Sequence, residues 1–340
     1  MSGIFIRGCG AVSPAGWGVP ALRSALATGL PLATQPVPRP GWIEPLQVGR
    51  VPKPLSRPAF LANPRLRRAS AITQFAVAAA LEALADEAEG LAAPSRRLGI
   101  VMCVMSGCVN YSRRFYDETL RDPATASPLV FPETVFNAPS SHLASLLGTT
   151  ASNYTLVGDP GTFLQGVALA AEWISNETVE ACLVIGAEEM DWLTADAYRL
   201  FAPEIVLAEG AGAVYLTRQP STARLREITN PHLFYARSGR VGAALRMRAE
   251  LPPGEPGDWL IDGQTGVPKL DRPEMKAWNS WPGQRISPAL ILGEGLMAGA
   301  AWQTVSALDG IRQGRCENAL VSVVGCNEQA IGARFARQTL

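Results

Sequence analysis

Covalent catalysis needs a nucleophile and a base, and this chain offers few of either. Its six cysteines, Cys9, Cys103, Cys108, Cys182, Cys316 and Cys326, lie mostly inside apolar stretches and form no C-x-x-C pair. They read as reduced core thiols, not as a disulfide framework. Cys103 and Cys108 flank a strand end and are surrogate nucleophiles in principle, yet nothing nearby in sequence marks a stabilised thiolate. Only two histidines occur, His142 and His232, too few for a His-rich zinc site. His142 stands before the helical-looking Leu143 to Leu147, as a base or as a structural hydrogen-bonding group. Asp159-Pro160-Gly161-Thr162 reads as a helix start, with Asp as N-cap and Pro at the first helical position, against a catalytic role for the carboxylate. Gly293-x-Gly295-x-x-Ala298 has the outline of a dinucleotide-binding turn, but too few residues follow it to complete a mononucleotide-binding half. The tryptophans Trp259, Trp278, Trp281 and Trp302 form either an aromatic box or, more commonly, core and interface packing. Arg65, Arg67 and Arg68 are either a patch for an acidic partner or a solvated basic face.

These residues must be positioned by elements that the apolar pattern outlines. Short apolar runs at Ile4 to Gly8, Leu98 to Met105, Ala181 to Gly186, Gly212 to Leu216, Ala289 to Leu292 and Ala319 to Gly325 read as buried strands. Between them, Ser70 to Glu89, Thr162 to Ser175 and Gly295 to Gln313 carry apolar residues at helical spacing. The alternation predicts an α/β protein. Residues 31–66, rich in proline, and residues 217–285, with Pro, Gly and three tryptophans, read as elaborated surface or interface segments, and the natural division falls near residue 220. With 340 residues, 47% of them hydrophobic, and a formal net charge of +0, the chain has a large core and no field to draw nucleic acid or anionic lipid. No apolar run is long and clean enough to span a membrane, and the opening segment reads as strand and turn, so a cytoplasmic protein is expected.

Taken in order, several segments resemble the β-ketoacyl synthases of the thiolase-like superfamily, across nearly the whole chain. Gly8-Cys9-Gly10-Ala11-Val12-Ser13-Pro14-Ala15-Gly16 is similar to the family's first strand and turn, Arg67-Arg68 with Thr73-Gln74-Phe75-Ala76 to its first long helix, Asn137-Ala138-Pro139-Ser140-Ser141-His142 to the segment ahead of its nucleophile, and Glu209-Gly210-Ala211-Gly212-Ala213 to its E-G-A-G strand. The resemblance implies a layered αβαβα fold of two related halves with mixed sheets, here residues 1–220 and a shorter 221–340. It also implies where catalytic residues belong. The family's helix-capping cysteine falls on Pro160, its first histidine on Gly263 within Gly263-Gln264-Thr265-Gly266-Val267-Pro268, its lysine on Ala289 and its second histidine on Glu294. An ionised Glu294 accepts hydrogen bonds only and repels a carboxylate or enolate. The C-terminal gating turn is altered to Val323-Val324-Gly325-Cys326-Asn327-Glu328-Gln329.

What the resemblance implies is therefore a non-catalytic subunit of the chain length factor type. Such a subunit pairs with an active ketosynthase and shapes its acyl tunnel, meeting acyl carrier protein through that partner, in polyketide, polyene or fatty-acid biosynthesis. No cofactor, metal, nucleic acid or membrane is expected. Leu129, Phe131 and Phe136, within Arg113 to Pro139, are the tunnel or interface candidates. Two other readings stay open: an acyltransferase or hydrolase with a site rebuilt around Glu294, Asp159 or a displaced cysteine, and a homodimeric binding protein for acyl groups or acyl carrier protein.

Overall fold

The computed structural model describes residues 3–87 and 97–339, so Met1, Ser2 and the end of the helix predicted to reach Glu89 lie outside the described residues. Ten main strands carry the architecture. The first five are β1 (Phe5–Ser13), β2 (Leu98–Val104), β3 (Asn153–Val157), β4 (Ala181–Glu188) and β5 (Gly210–Thr217). The second five are β6 (Ala223–Ile228), β7 (Trp259–Ile261), β8 (Gln284–Ile286), β9 (Asn318–Val324) and β10 (Gln329–Arg337).

The first set lies in the order β3-β2-β4-β5-β1, and the second in the order β8-β7-β9-β10-β6. Counted within each set, both read third, second, fourth, fifth, first. In both, the fifth strand runs antiparallel to its neighbours and the remaining contacts are parallel. The two sets are thus copies of one plan, although no sequence repeat announces it. They join edge to edge where Phe5 faces Arg224 and Ile6 faces Ala223, so hydrogen bonding makes one continuous 12-stranded sheet where two separate sheets were expected.

Strands buried on both faces must be covered on both faces. All of β4 is buried, as its unbroken apolar run demands. Helix α1 (Val19–Thr28) leans on β1 and α2 (Ala71–Ala83) covers the outer face of the first set. The glycines of Gly8-Cys9-Gly10 let α2 approach: a Cβ on Gly8 would stand 1.7 Å from the Ala83 carbonyl oxygen. Next come α3 (Val109–Arg121), α4 (Ala138–Leu147), α5 (Thr162–Ser175) and α6 (Trp192–Phe201). Then follow α7 (Arg240–Glu250) and α8 (Pro268–Ala277), which cover the outer face of the second set, then the short α9 (Pro288–Leu292) and finally α10 (Met297–Arg312).

Helices α5 and α10 share the central layer with the inner faces of both sets, giving the expected αβαβα order. Nearly every residue of α10 is buried, which is why its apolar residues run all round instead of forming a stripe. The E-G-A-G strand exists for this helix, because a Cβ on Gly212 would lie 2.7 Å from the Ala301 Cβ.

Three expectations are corrected. Ala289–Leu292 is a helix, α9, opened by Pro288, which suits a first helical position. Residues 217–285 are not irregular but hold β6, β7, β8, α7 and α8. The proline-rich segment contributes two short strands, Gln35–Val37 and Leu46–Gly49, the second of which pairs with Leu207–Ala208.

Candidate functional site

Helices α5 and α10 each follow the third strand of their set, α10 by way of α9, and their first turns converge. Between them lies a small cavity of about 40 Å³ lined by Pro160, Gly263 and Glu294, together with Tyr198, Arg240, Glu274, Leu296 and Cys326. Three of the four positions assigned from the sequence thus meet in one place. Ala289 does not: it sits in α9 on a neighbouring cleft that has only Thr265 in common with the cavity. A volume near 40 Å³ has room for about three waters and no acyl group.

Each wall has a local cause. The regular part of α5 begins at Thr162, two residues later than the capping motif predicts, because the first turn is wound tighter: Thr162 N–H donates to the Asp159 carbonyl at 2.9 Å and Phe163 N–H to the Pro160 carbonyl at 3.2 Å. Asp159 still caps that turn, its Oδ1 accepting from Gly161 N–H at 3.1 Å. The same buried carboxylate accepts from the backbone N–H groups of Glu328 and Gln329 and from the Gln329 side chain, each at 3.2 Å. Asp159 thus ties the turn at Pro160 to the Gly325–Glu328 turn through four accepted hydrogen bonds. Burial pushes its carboxyl above the usual range.

Glu294 is fixed from both sides. Its N–H donates to the Val206 carbonyl and its carbonyl accepts from Ala208 N–H, both at 2.8 Å, while its Oε1 accepts from Leu296 N–H at 2.7 Å. Burial pushes the carboxyl up to about 7, the nearby Arg240 opposing the rise. A carboxyl so placed takes up a proton more readily than an exposed glutamate does. Leu296 itself has φ 51 and ψ −117, a left-handed conformation that side chains avoid.

Gly263 leaves space rather than strain: a Cβ there would meet Gln303 Nε2 at 3.6 Å and Glu274 Oε1 at 3.8 Å. That Glu274 oxygen has no hydrogen-bond partner, although the other oxygen accepts from Ser322 Oγ at 2.8 Å. Burial pushes Glu274 up to about 8. Arg240, itself buried, donates only to the carbonyls of Gly325, Leu270 and Val324. Sequence reasoning missed Glu274, Arg240 and Tyr198. Glu274 follows Asp271 by one helical turn, which was the available signal. Asp271 holds the preceding loop by accepting from Thr265 N–H at 2.8 Å and Gly266 N–H at 2.9 Å.

The alternative nucleophiles fare poorly. Cys103 is fully buried with its thiol pushed up by desolvation, and burial holds Cys108 near about 12. Cys326 lines the cavity, but burial pushes its thiol up to about 12 as well, away from the thiolate a nucleophile needs. His142 is paired with Glu133 at 2.8 Å, the structural reading. The dinucleotide outline at Gly293 fails because α9, not a strand, precedes it. Trp259, Trp278 and Trp302 are core side chains. Arg65, Arg67 and Arg68 are exposed before α2. Among the described residues no cluster of His, Cys, Asp or Glu could hold a metal ion.

Beyond Tyr198, Leu296 and Cys326 opens a larger apolar groove of about 520 Å³, walled by Met105, Val109, Leu193, Ala197 and Phe201. On the same side of the molecule α3 has no buried residue, although it spans 13 residues. The segment after it exposes Leu129 (77%), Phe131 (55%) and Phe136 (45%). Phe131 packs on Phe115 of α3, and Phe136 lies against Gly107, where a Cβ would stand 2.4 Å from its ring. No helix among the described residues is long and apolar enough to cross a membrane.

Two five-stranded sets of one plan, with a site where the two central helices begin, define a protein of the thiolase-like class. More narrowly, the chain belongs to the β-ketoacyl synthase family: residues 1–221 match the model of the β-ketoacyl synthase N-terminal domain. Solved structures agree on the fold. The ishigamide ketosynthase/chain length factor superposes with a TM-score of 0.80 at 21% identity, covering 99% of this chain and 100% of that one. A β-ketoacyl synthase from Burkholderia phymatum STM815 gives 0.81 at 16% identity over 100% of both chains. A ketosynthase in complex with its chain length factor from Xenorhabdus doucetiae gives 0.78 at 16% identity, covering 99% and 98%. No curated protein sequence matches.

Proposed function

We propose that this chain is a non-catalytic ketosynthase-like subunit, of the chain length factor type, that pairs with an active ketosynthase and shapes the tunnel in which an acyl chain grows. The observation that carries the reading is the cavity at the head of α5 and α10. The positions where the family keeps its thiol and imidazoles converge there as Pro160, Gly263 and Glu294, and burial raises the remaining thiol at its wall. Acyl transfer needs a nucleophile and donors aimed at the developing oxyanion, and this cavity supplies neither in room enough for a thioester.

The exposed apolar face supports the pairing half of the reading. An amphipathic helix with nothing buried, three exposed large apolar side chains and the open edge of β3 are surfaces that a partner covers. Leu129, Phe131 and Phe136 belong to that face, and the groove behind it meets the chain. The same reading treats residues 1–220 and 221–340 as the two related halves, and places acyl carrier protein on the partner.

Co-expression with a ketosynthase encoded beside it, followed by native mass spectrometry, tests this. A one-to-one heterodimer with acyl groups only on the partner is expected. A homodimer that takes up acyl groups itself overturns the reading in favour of a rebuilt acyltransferase or hydrolase.

A further inference from the structure

We propose that a further cavity, between α1, α10 and the edge strand β8, is a binding site for a ring-sized aromatic monocarboxylate. It lies where α10 ends, has a volume of about 190 Å³ and shares no lining residue with the cavity at the head of that helix. The site is therefore separate from the positions that match the family's catalytic residues, and it stands whether or not the chain pairs with a ketosynthase. An apolar cavity of about 150 Å³ takes a benzene ring, so this one has room for a ring and a short polar arm. Val19, Leu22 and Leu26 of α1 and Ile286 of β8 supply the apolar wall. Trp259 of β7 completes it, its indole seated on Gly310 of α10, where a Cβ would stand 2.4 Å from the ring.

The polar groups decide the charge of the occupant. Asp309 is the one carboxylate on the lining, and both its oxygens are taken: Arg23 Nε donates to Oδ2 at 2.7 Å and Arg23 Nη2 to Oδ1 at 2.6 Å. The Ser306 hydroxyl donates to the Trp302 carbonyl at 2.6 Å. That leaves Arg315, whose guanidinium carbon lies 4.8 Å from the centroid of the Trp259 ring and which pairs with no carboxylate among the described residues. The exposed Gln284 side-chain amide, on the same lining, has no partner either. Two guanidiniums against one carboxylate leave a single positive charge, which attracts a monoanion and repels a cation. Stacking on the indole holds the Arg315 guanidinium in place before a ligand arrives, ready for a charge-assisted bond to a carboxylate. The indole wall in turn favours an aromatic ring, which gains edge or offset contact with it.

The test titrates the purified full chain with phenylacetate, phenylacetamide and phenethylammonium, with binding read by calorimetry and ligand-observed NMR. Phenylacetate should bind, the amide about tenfold more weakly and the ammonium not at all. Arg315→Gln should cost phenylacetate about tenfold and leave the amide within about twofold. Ala27→Trp, at an exposed position of the lining, keeps every charge and should abolish binding of both by filling the space. Both substitutions fall on exposed residues, so the variants should keep the wild-type thermal midpoint. A wild-type chain that binds no phenylacetate at millimolar concentration overturns the site, as does equal affinity for acid and amide or wild-type affinity in Arg315→Gln. Wild-type affinity in Ala27→Trp places the bound ring elsewhere and overturns it too.

Discussion

Single side chains around the cavity hold neighbouring turns in place. Asp159 was legible as a cap from the Asp-Pro-Gly-Thr string, but its second role was not, because Gln329 lies 170 residues away in sequence. Replacing it with alanine leaves the N–H groups of Gly161, Glu328 and Gln329 without their acceptor in a buried place. Asp159→Ala should cost about 3 kcal/mol in urea unfolding. The buried carboxyls make a second prediction. Glu294 and Glu274 have folded-state values of about 7 and about 8, raised by burial, against an ordinary carboxyl near 4.5. The folded state therefore holds more protons than the unfolded one between those limits. Stability from these groups is complete below about pH 4.5 and is lost as pH rises through 7 to 8. Urea midpoints should fall over that window, and Glu274→Gln should flatten the slope by about 1.4 kcal/mol per pH unit. An unchanged slope in the variant would show that Glu274 stays ionised throughout.

Elements divide into those that read cleanly from sequence and those that do not. Thr162 to Ser175 was legible to the residue because its burial on most sides leaves a dense apolar pattern that only a helix between sheets uses. Helices α7 and α8 were hidden, the first because it buries mainly Ala243, Ala244 and Met247 among arginines, the second because it carries Pro273 inside. The α9 run was short enough to suit either state, and Pro288 at its start was the local sign of a helix. At this scale the exposed face makes its own prediction. Leu129→Asp with Phe131→Asp should weaken heterodimer formation at least 100-fold in sedimentation or native mass spectrometry. The thermal midpoint of the chain alone should move by no more than about 2 °C, because both side chains are exposed in it. A large loss of stability in the isolated chain would instead mean that the segment belongs to its own core.

For the molecule as a whole, the α/β class followed from alternating apolar runs and the layers and two related halves from the resemblance, whereas the shared five-stranded order of the halves was not legible in the residues. Two sheets that share topology need share only which positions are buried, and that constraint is met by many sequences. The edge-to-edge joint at β1 and β6 was equally hidden, since it rests on two residue pairs. If a partner covers the exposed face, the apparent stability of the chain is a mass-action quantity. Its thermal midpoint should climb with added ketosynthase, by about 2.7 kcal/mol equivalent at a hundredfold excess over the dissociation constant. A midpoint indifferent to partner would place the exposed apolar surface in some other use.

The short strands of the proline-rich segment bear on engineering. Leu46–Gly49 pairs with Leu207–Ala208, which in turn bridges Glu294, so a strip of backbone runs from residue 46 to the turn that presents Leu296. Grafting a different 31–66 segment would shift the backbone that holds Glu294 without altering any residue that lines the cavity, and a library confined to that stretch is a way to reshape the cavity while the core sheets stay as they are.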